Sequence, residues 1–592
     1  MAWYDEAVFY HIYPLGLAGA PKQNSYGEPK HRLNTLIPWI AHIKSIGCNA
    51  LYIGPLFESV GHGYETTDYR KLDSRLGDNK DLADFVKECH NQDVKVIFDG
   101  VFNHTGRDFF AFKDLKEKRE GSQYRDWYCN VNFGGNNEYN DGFSYENWGG
   151  YNLLVKLNQK NPAVRDYICD VIRFWVNEFD IDGIRLDAAD VLDFEFMKAL
   201  RSTANDVKAD FWLMGEVIHG DYTRWVNQDT LHSVTNYHLH KALYSGHNDH
   251  NYFEIAHTVK RLYDMGGNRP GGLKLYNFVD NHDVERIYTK LSNKAHFKPV
   301  HILMYTLPGV PSIYYGSEFA IEGKKERFSD DSLRPALNLD EYKDAVNTNP
   351  GTALLSSLGK IRQQTKALSY GDYKELMLTN RQYAFSRNYN GESVVVTVNN
   401  DDSDYTMTLP AGGCPEYMGA LSGQRVSVSN GNICVNVKAN SGDIWVPYGE
   451  NASGNVAPSS AVVEKTTVGE THTQDTSKVD AAETVPVSET APVPEAAPVL
   501  EAVPVLEAAF VPETVKASIN EVVFEKTIEA HTEQAANNTL NSDDFEKGKI
   551  AGLQEAIIAI MEKKGPVTEQ MRRDVYNNTH HGSLITWVKS FH

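Results

Sequence analysis

From residue 8 to about 366, short apolar runs alternate with longer stretches of helical periodicity. The runs are VFYHIYP from Val8, ALYIGPL from Ala50, VKVIFDGVFNH from Val94, GIRLDAAD from Gly183, FWLMGEV from Phe211, SVTNYHL from Ser233, LKLYNFVDNHD from Leu273 and PSIYYGSE from Pro311. Between them lie amphipathic segments such as LNTLIPWIAHIKSIG, NKDLADFVKECHNQ and NPAVRDYICDVIRFWVNEF, the last opening on an Asn-Pro pair suited to a helix start. Strands alternating with helices in this way predict an α/β fold, a parallel (β/α)8 TIM barrel, built from residues 1–104 and 161–369. Residues 105–160, rich in Asn, Gly and aromatics, read as an irregular lobe inserted after the third strand, and long loops of this kind usually carry function.

The pattern then changes twice. Short β-rich runs such as SVVVTVNN and GDIWVP predict a small antiparallel β-domain over 370–449. Residues 450–542, dominated by Pro, Ala, Val, Glu and Thr, bury too little surface to offset their ordering entropy and read as a disordered linker. In 543–592, Ile550, Leu553, Ile557 and Ile560 fall on one helical face. That predicts a small helical module for a protein partner or self-association, with a weakly packed tail as the alternative.

Composition narrows the partners. The chain has 592 residues and a net charge of −21, a balance that repels phosphates and argues against nucleic acid and anionic membranes. The start, MAWYDEAVFYHIYP, lacks a basic segment followed by an apolar core, and no apolar span reaches membrane length, so a cytoplasmic protein is expected. The six cysteines form no CxxC pair or His/Cys cluster, which predicts buried thiols; Cys414 and Cys434 could pair in an exported chain.

Four charged motifs close predicted strands three, four, five and seven: DGVFNH (Asp99 to His104), GIRLD (Gly183 to Asp187), GEV around Glu216, and VDNHD ending at Asp283. Singly, Arg185 with Asp187 reads as a structural ion pair, His104 or His282 as a core histidine and Tyr64 as packing. In a (β/α)8 barrel, however, these strand ends converge on one pocket. Asp187, Glu216 and Asp283 would then meet there with Arg185. The guanidinium would hold Asp187 ionised while a neighbour in a drier corner keeps its proton, which is the divergence that acid and nucleophile roles need.

Together these motifs resemble the α-amylase family of glycoside hydrolases, whose regions I to IV correspond to DGVFNH, GIRLD, GEV and VDNHD; HGYETTDY at 62–69 and LVKLNQKNP at 154–162 match two further family segments. The resemblance implies that Asp187 is the nucleophile, Glu216 the general acid and base, and Asp283 the carboxylate that binds substrate hydroxyls. Arg185, His104 and His282 would contact the sugar at the cleavage point and Tyr64 would stack on it. Asp99 would orient Arg185, and Asp331 and Arg334 would border a neighbouring sugar site. No Lys-His pair follows Asp187, a departure from many secreted calcium α-amylases that points toward the intracellular maltodextrin-processing members. Asn103 matches an asparagine that ligates calcium in part of the family and equally suits a turn cap, so the metal stays open. The implied activity is retaining hydrolysis of α-1,4 bonds in α-glucans or maltooligosaccharides. The rivals are a transglycosylase, a cyclomaltodextrinase or an oligo-α-glucosidase of the same family, and a non-catalytic carbohydrate-binding relative.

Overall fold

The computed structural model describes residues 2–267, 272–327 and 329–449. The linker over 450–542 and the helical module over 543–592 lie outside the described residues. All eight apolar runs contain strands: β1 Phe9–Ile12, β2 Ala50–Ile53, β3 Lys95–Gly100, β4 Gly183–Leu186, β5 Trp212–Gly215, β6 Ser233–Val234, β7 Tyr276–Asn277 and β8 Val310–Tyr314. They form one parallel sheet in the order β6-β5-β4-β3-β2-β1-β8-β7. A parallel bridge between Thr235 and Tyr276 joins the two edges and brings the sheet round into a barrel.

Alternation along each strand divides the wall in two. Val8 just before β1, Tyr10 and Ile12 of β1, Leu51 and Ile53 of β2, Val96 and Phe98 of β3, and Ile184 and Leu186 of β4 pack outward in the larger hydrophobic core. The positions between them, Phe9, Ala50, Tyr52, Ile97, Trp212, Met214 and Val310, form a second cluster, with the ring of Phe9 stacked 5.1 Å from that of Trp212. Two residues further along β1, β3, β4 and β5, this alternation brings up His11, Asp99, Arg185 and Glu216. The barrel is therefore apolar in its lower layers and charged where the strands end.

The helices follow the sequence pattern. α1 (Ile37–Ser45), α2 (Asn79–Asn91) and α3 (Pro162–Phe179) lie within the three amphipathic segments. Asp78 caps α2 by accepting from the backbone N–H of Asp81 at 3.0 Å, and Asn161 caps α3 by accepting from that of Ala163 at 2.9 Å. Further along are α4 (Phe194–Val207) and α5 (Tyr237–Asn248). Between β3 and β4 the chain forms a helix, Phe110–Lys118, and a three-stranded antiparallel sheet of His104–Thr105, Tyr151–Lys156 and Asn147–Trp148. Between 374 and 448 it forms a six-stranded antiparallel sheet and a separate two-stranded ladder.

Two expectations change in detail. Leu273 to Asp283 read as a long strand, yet Lys274 adopts a left-handed backbone (φ 55°), so pairing begins only at Tyr276. The expectation of buried cysteines holds for Cys48, Cys89 and Cys169, whereas Cys129 and Cys414 are half-buried and Cys434 is exposed, on the outward face of the alternating strand Asn432–Val437. Among the described residues no helix is long and apolar enough to cross a membrane.

Candidate active site

Arg185 points inward from β4 and is 3 % exposed. Its register partner on β3 is Asp99, so the two side chains stand beside each other on adjacent parallel strands. Arg185 Nη1 donates to Asp99 Oδ1 at 2.8 Å and to Asp187 Oδ1 at 2.9 Å, and Nη2 lies 2.9 Å from Glu216 Oε2. Asp99 also accepts from the hydroxyls of Tyr52 at 2.8 Å and Tyr64 at 3.2 Å. One guanidinium thus serves three carboxylates.

This sharing alters the electrostatics expected of a private Arg185–Asp187 pair. Burial pushes the Asp187 carboxyl well above the ordinary range, and Glu216 and Asp99 add repulsion that Arg185 only partly offsets. The chain turns sharply after Asp187: Ala188 sits in the left-handed region (φ 46°), which lets its N–H donate to Glu216 Oε2 at 3.1 Å.

Asp283, beyond β7, has the opposite surroundings. Burial works against its charge, but His282, whose Nε2 lies 2.9 Å from Asp283 Oδ2, and Arg334, whose Nη2 donates to Oδ1 at 2.9 Å, hold the carboxyl well below its ordinary range. Arg334 Nε also donates to the His282 carbonyl at 3.0 Å, and its guanidinium lies 4.7 Å over the Tyr13 ring. The Tyr64 ring is stacked on His282 at 5.7 Å, with its hydroxyl against Nε2. Asp331 lies apart from this group, 61 % exposed and paired with Lys22. It is Asp330 that reaches Arg334, at 3.2 Å, across the 3₁₀ turn over Asp331–Leu333.

His104 is held by a chain of amides whose orientation is fixed from one end. The backbone N–H of Asp193, a donor only, contacts Gln159 Oε1 at 2.6 Å, so Gln159 Nε2 faces Asn103 Oδ1 at 3.4 Å. Asn103 Nδ2 then faces His104 Nδ1 at 3.2 Å, which leaves His104 Nε2 to donate to the Tyr64 carbonyl at 3.1 Å. Burial pushes His104 down to about 3, so the ring is neutral near pH 7. Trp148, at the tip of the inserted sheet, lies parallel to it at 6.5 Å.

Residues 22–350 match the profile of the α-amylase catalytic domain, and residues 371–445 match that of the α-amylase C-terminal domain. The chain belongs to the α-amylase family of glycoside hydrolases. It is 31 % identical over 431 residues to a cyclomaltodextrinase of Thermoanaerobacter pseudethanolicus, a match covering 69 % of this chain and 72 % of that protein. It is 29 % identical to neopullulanase 2 of Thermoactinomyces vulgaris, covering 75 % and 78 %. A solved cyclomaltodextrinase structure superposes with a TM-score of 0.67 at 26 % identity, covering 75 % of this chain and 78 % of that one.

Calcium, which part of the α-amylase family binds, finds a poor donor set at Asn103. Its amide oxygen faces the Gln159 amide nitrogen and its own nitrogen faces an imidazole. Calcium requires several oxygen ligands, carboxylates among them. These residues do not fit the ion, and no step below runs through a metal.

Motif reasoning missed several side chains that the fold brings here: Tyr13, Tyr52, Trp148, Gln159, Tyr237 and Asn281. Asn281 and Gln159 stood inside quoted motifs and were findable from their neighbours. The aromatics had no such signal, because a tyrosine in a strand reads as packing until the strands around it are placed.

Proposed function

We propose that this α-amylase-family chain is a retaining hydrolase of α-1,4-glucosidic bonds in maltodextrins, linear and cyclic, acting by double displacement. The observation that carries the reading is the guanidinium of Arg185, whose two terminal nitrogens hold Asp187 on one side and Glu216 on the other. Glu216 Oε2 faces two donors, Arg185 and the Ala188 N–H, so a proton on this carboxyl belongs on Oε1. From there it passes to the glycosidic oxygen as the bond breaks. Asp187 attacks the anomeric carbon and forms the covalent glycosyl-enzyme; water, giving its proton back to Glu216, then releases the sugar with retention. A retaining pair of carboxyls should stand roughly 5 to 5.5 Å apart.

Asp283, kept ionised by His282 and Arg334, is suited to accept sugar hydroxyl hydrogens and to oppose the positive charge that develops at the anomeric centre. His104 and His282 would contact the sugar at the cleavage point, Tyr64 would stack on it, and Arg334 would border the neighbouring unit. The names of the relatives support small α-glucans as substrates. An intracellular maltogenic amylase of Bacillus subtilis, 28 % identical over 342 residues, supports a cytoplasmic place for such an enzyme.

The test is a product profile on starch, maltotriose, cyclodextrin and pullulan, with the anomer followed by proton NMR. Cyclodextrin and maltotriose should be opened faster than starch, and the α-anomer should form first. A β-anomer appearing first overturns the mechanism, and oligomers longer than maltotriose would show that sugar acceptors compete with water at the shared intermediate.

A further inference from the structure

The two oxygens of Glu216 are unequally supported. Oε2 is held by Arg185 and the Ala188 N–H, whereas Oε1 has one neighbouring donor, the hydroxyl of Tyr237 at 3.4 Å. Tyr237 is the first residue of α5, just past β6, and its ring is set edge-on to Phe278 at 5.0 Å. Asn236, which caps α5, ties this helix start to β7 by donating to Asn277 Oδ1 at 2.8 Å.

The direction of the Tyr237 hydroxyl follows from its other partner. Asn281 Oδ1 accepts from two backbone N–H groups, Asp283 at 2.8 Å and Val284 at 3.2 Å, which fixes the amide. Asn281 Nδ2 must then donate to the Tyr237 oxygen, at 3.1 Å. With a lone pair of that oxygen engaged, the hydroxyl hydrogen is left for Glu216 Oε1. Burial, with Glu216 and Asp283 nearby, pushes the Tyr237 hydroxyl well above its ordinary range, so it stays a neutral donor.

We infer that Tyr237 is a positioning residue for the acid–base step, holding Glu216 Oε1 toward the glycosidic oxygen and stabilising the charge left there when the proton departs. The inference rests on the proposed role of Glu216. It also links the two halves of the site, because the turn at Asn281–Val284 that presents Asp283 orients the tyrosine that supports Glu216.

Tyr237→Phe removes one oxygen and leaves every other charge facing Glu216 in place: Arg185 and Asp187 from β4 and its end, Asp190 from the next turn, and Asp283 beyond Tyr237. Its melting temperature should stay within about 4 °C of wild type. A carboxylate that has lost a donor gives up its proton less readily. The alkaline limb of kcat/KM against pH on maltotriose should therefore move up by about half a unit or more, and kcat/KM should fall by about three- to tenfold. With α-maltosyl fluoride, whose leaving group needs no proton, kcat/KM should stay within about twofold. Equal losses on both substrates with the limb unmoved overturn the inference. A Glu216→Gln control separates the two readings: it should lose maltotriose turnover yet still release fluoride in the first turnover, with the glycosyl-enzyme accumulating because no base activates the water. If it keeps maltotriose turnover, the assignment of Glu216 fails and the role of Tyr237 fails with it.

Discussion

Strand β4 carries Asp182 just before its lower end and Arg185 and Asp187 at its upper end, and the two ends balance charge in opposite ways. Asp182, 1 % exposed, is met by His90 Nε2 at 2.7 Å, Lys95 Nζ at 3.0 Å, Lys208 Nζ at 3.0 Å and the backbone N–H of Val96 at 3.0 Å. Burial opposes its charge, but these partners hold it well below the ordinary carboxylate range. At the top, Asp99, Asp187 and Glu216 share one guanidinium, and Asp187 is pushed up. A surplus of donors around one acid makes a stable anchor; a surplus of acids around one base holds a proton ready to be given and taken back. The same division, stability below and chemistry above, is general to barrels of this type.

The sharpest test replaces each acid by its amide. Asp187→Asn should lower turnover on maltotriose by about 10⁴-fold or more, the scale seen when an essential nucleophile is removed, with the melting temperature unchanged or raised because a repelled buried carboxylate is gone. Asp182→Asn should do the reverse. Breaking one side of a buried ion pair should cost about 3 kcal/mol in urea unfolding, while kcat at 25 °C stays within about twofold of wild type. If both variants lose stability alike, the contrast between the two ends is wrong.

The pH dependence should separate the ends further. Asp182 has a depressed folded value, so its contribution is complete above the unfolded value of about 4 and is lost as pH falls below it. The deficit of Asp182→Asn relative to wild type should close in acid. Asp187 has a raised folded value, so ionising it costs the native state more than the unfolded chain, and stability drops as pH climbs above about 4. Asp187→Asn escapes that drop, and its margin over wild type should widen toward neutral pH. Urea unfolding between pH 3 and 8 measures both slopes, and parallel curves would refute the assignment of either group.

Much of this contrast was legible in the chain, though unevenly. The strands announced themselves because each lies in a short apolar run, and the four charged motifs stood at their C-terminal ends in the order a barrel requires. The sharing of Arg185 was not legible. It depends on the register that sets Asp99 beside Arg185 and on the left-handed turn at Ala188 that brings a backbone donor to Glu216. Spacing alone cannot tell that Asp330, rather than Asp331, is the aspartate that meets Arg334 across a short turn. Tyr52 and Tyr237 carry no motif, and their hydroxyls gain meaning only from partners 47 and 21 residues away in sequence.

The smallest effects should come from the backbone. Two residues other than glycine flanking β4 adopt left-handed conformations: Asp180, which ends α3 at φ 56°, and Ala188 at φ 46°. Each stores about 1 kcal/mol of strain that glycine would relieve, offset in part by the freer unfolded chain. Asp180→Gly also gives up the ion pair with Lys208, in which the aspartate side chain is 68 % exposed, so its stability should change by less than about 1 kcal/mol and kcat should not move. Ala188→Gly should likewise leave stability within about 1 kcal/mol. But the Ala188 N–H donates to Glu216 Oε2, and a looser backbone there should lower kcat by about two- to fivefold. Stopped assays on maltotriose, run beside urea unfolding, measure both quantities. If Asp180→Gly slows turnover as much as Ala188→Gly does, the strain above the barrel has no special tie to the chemistry.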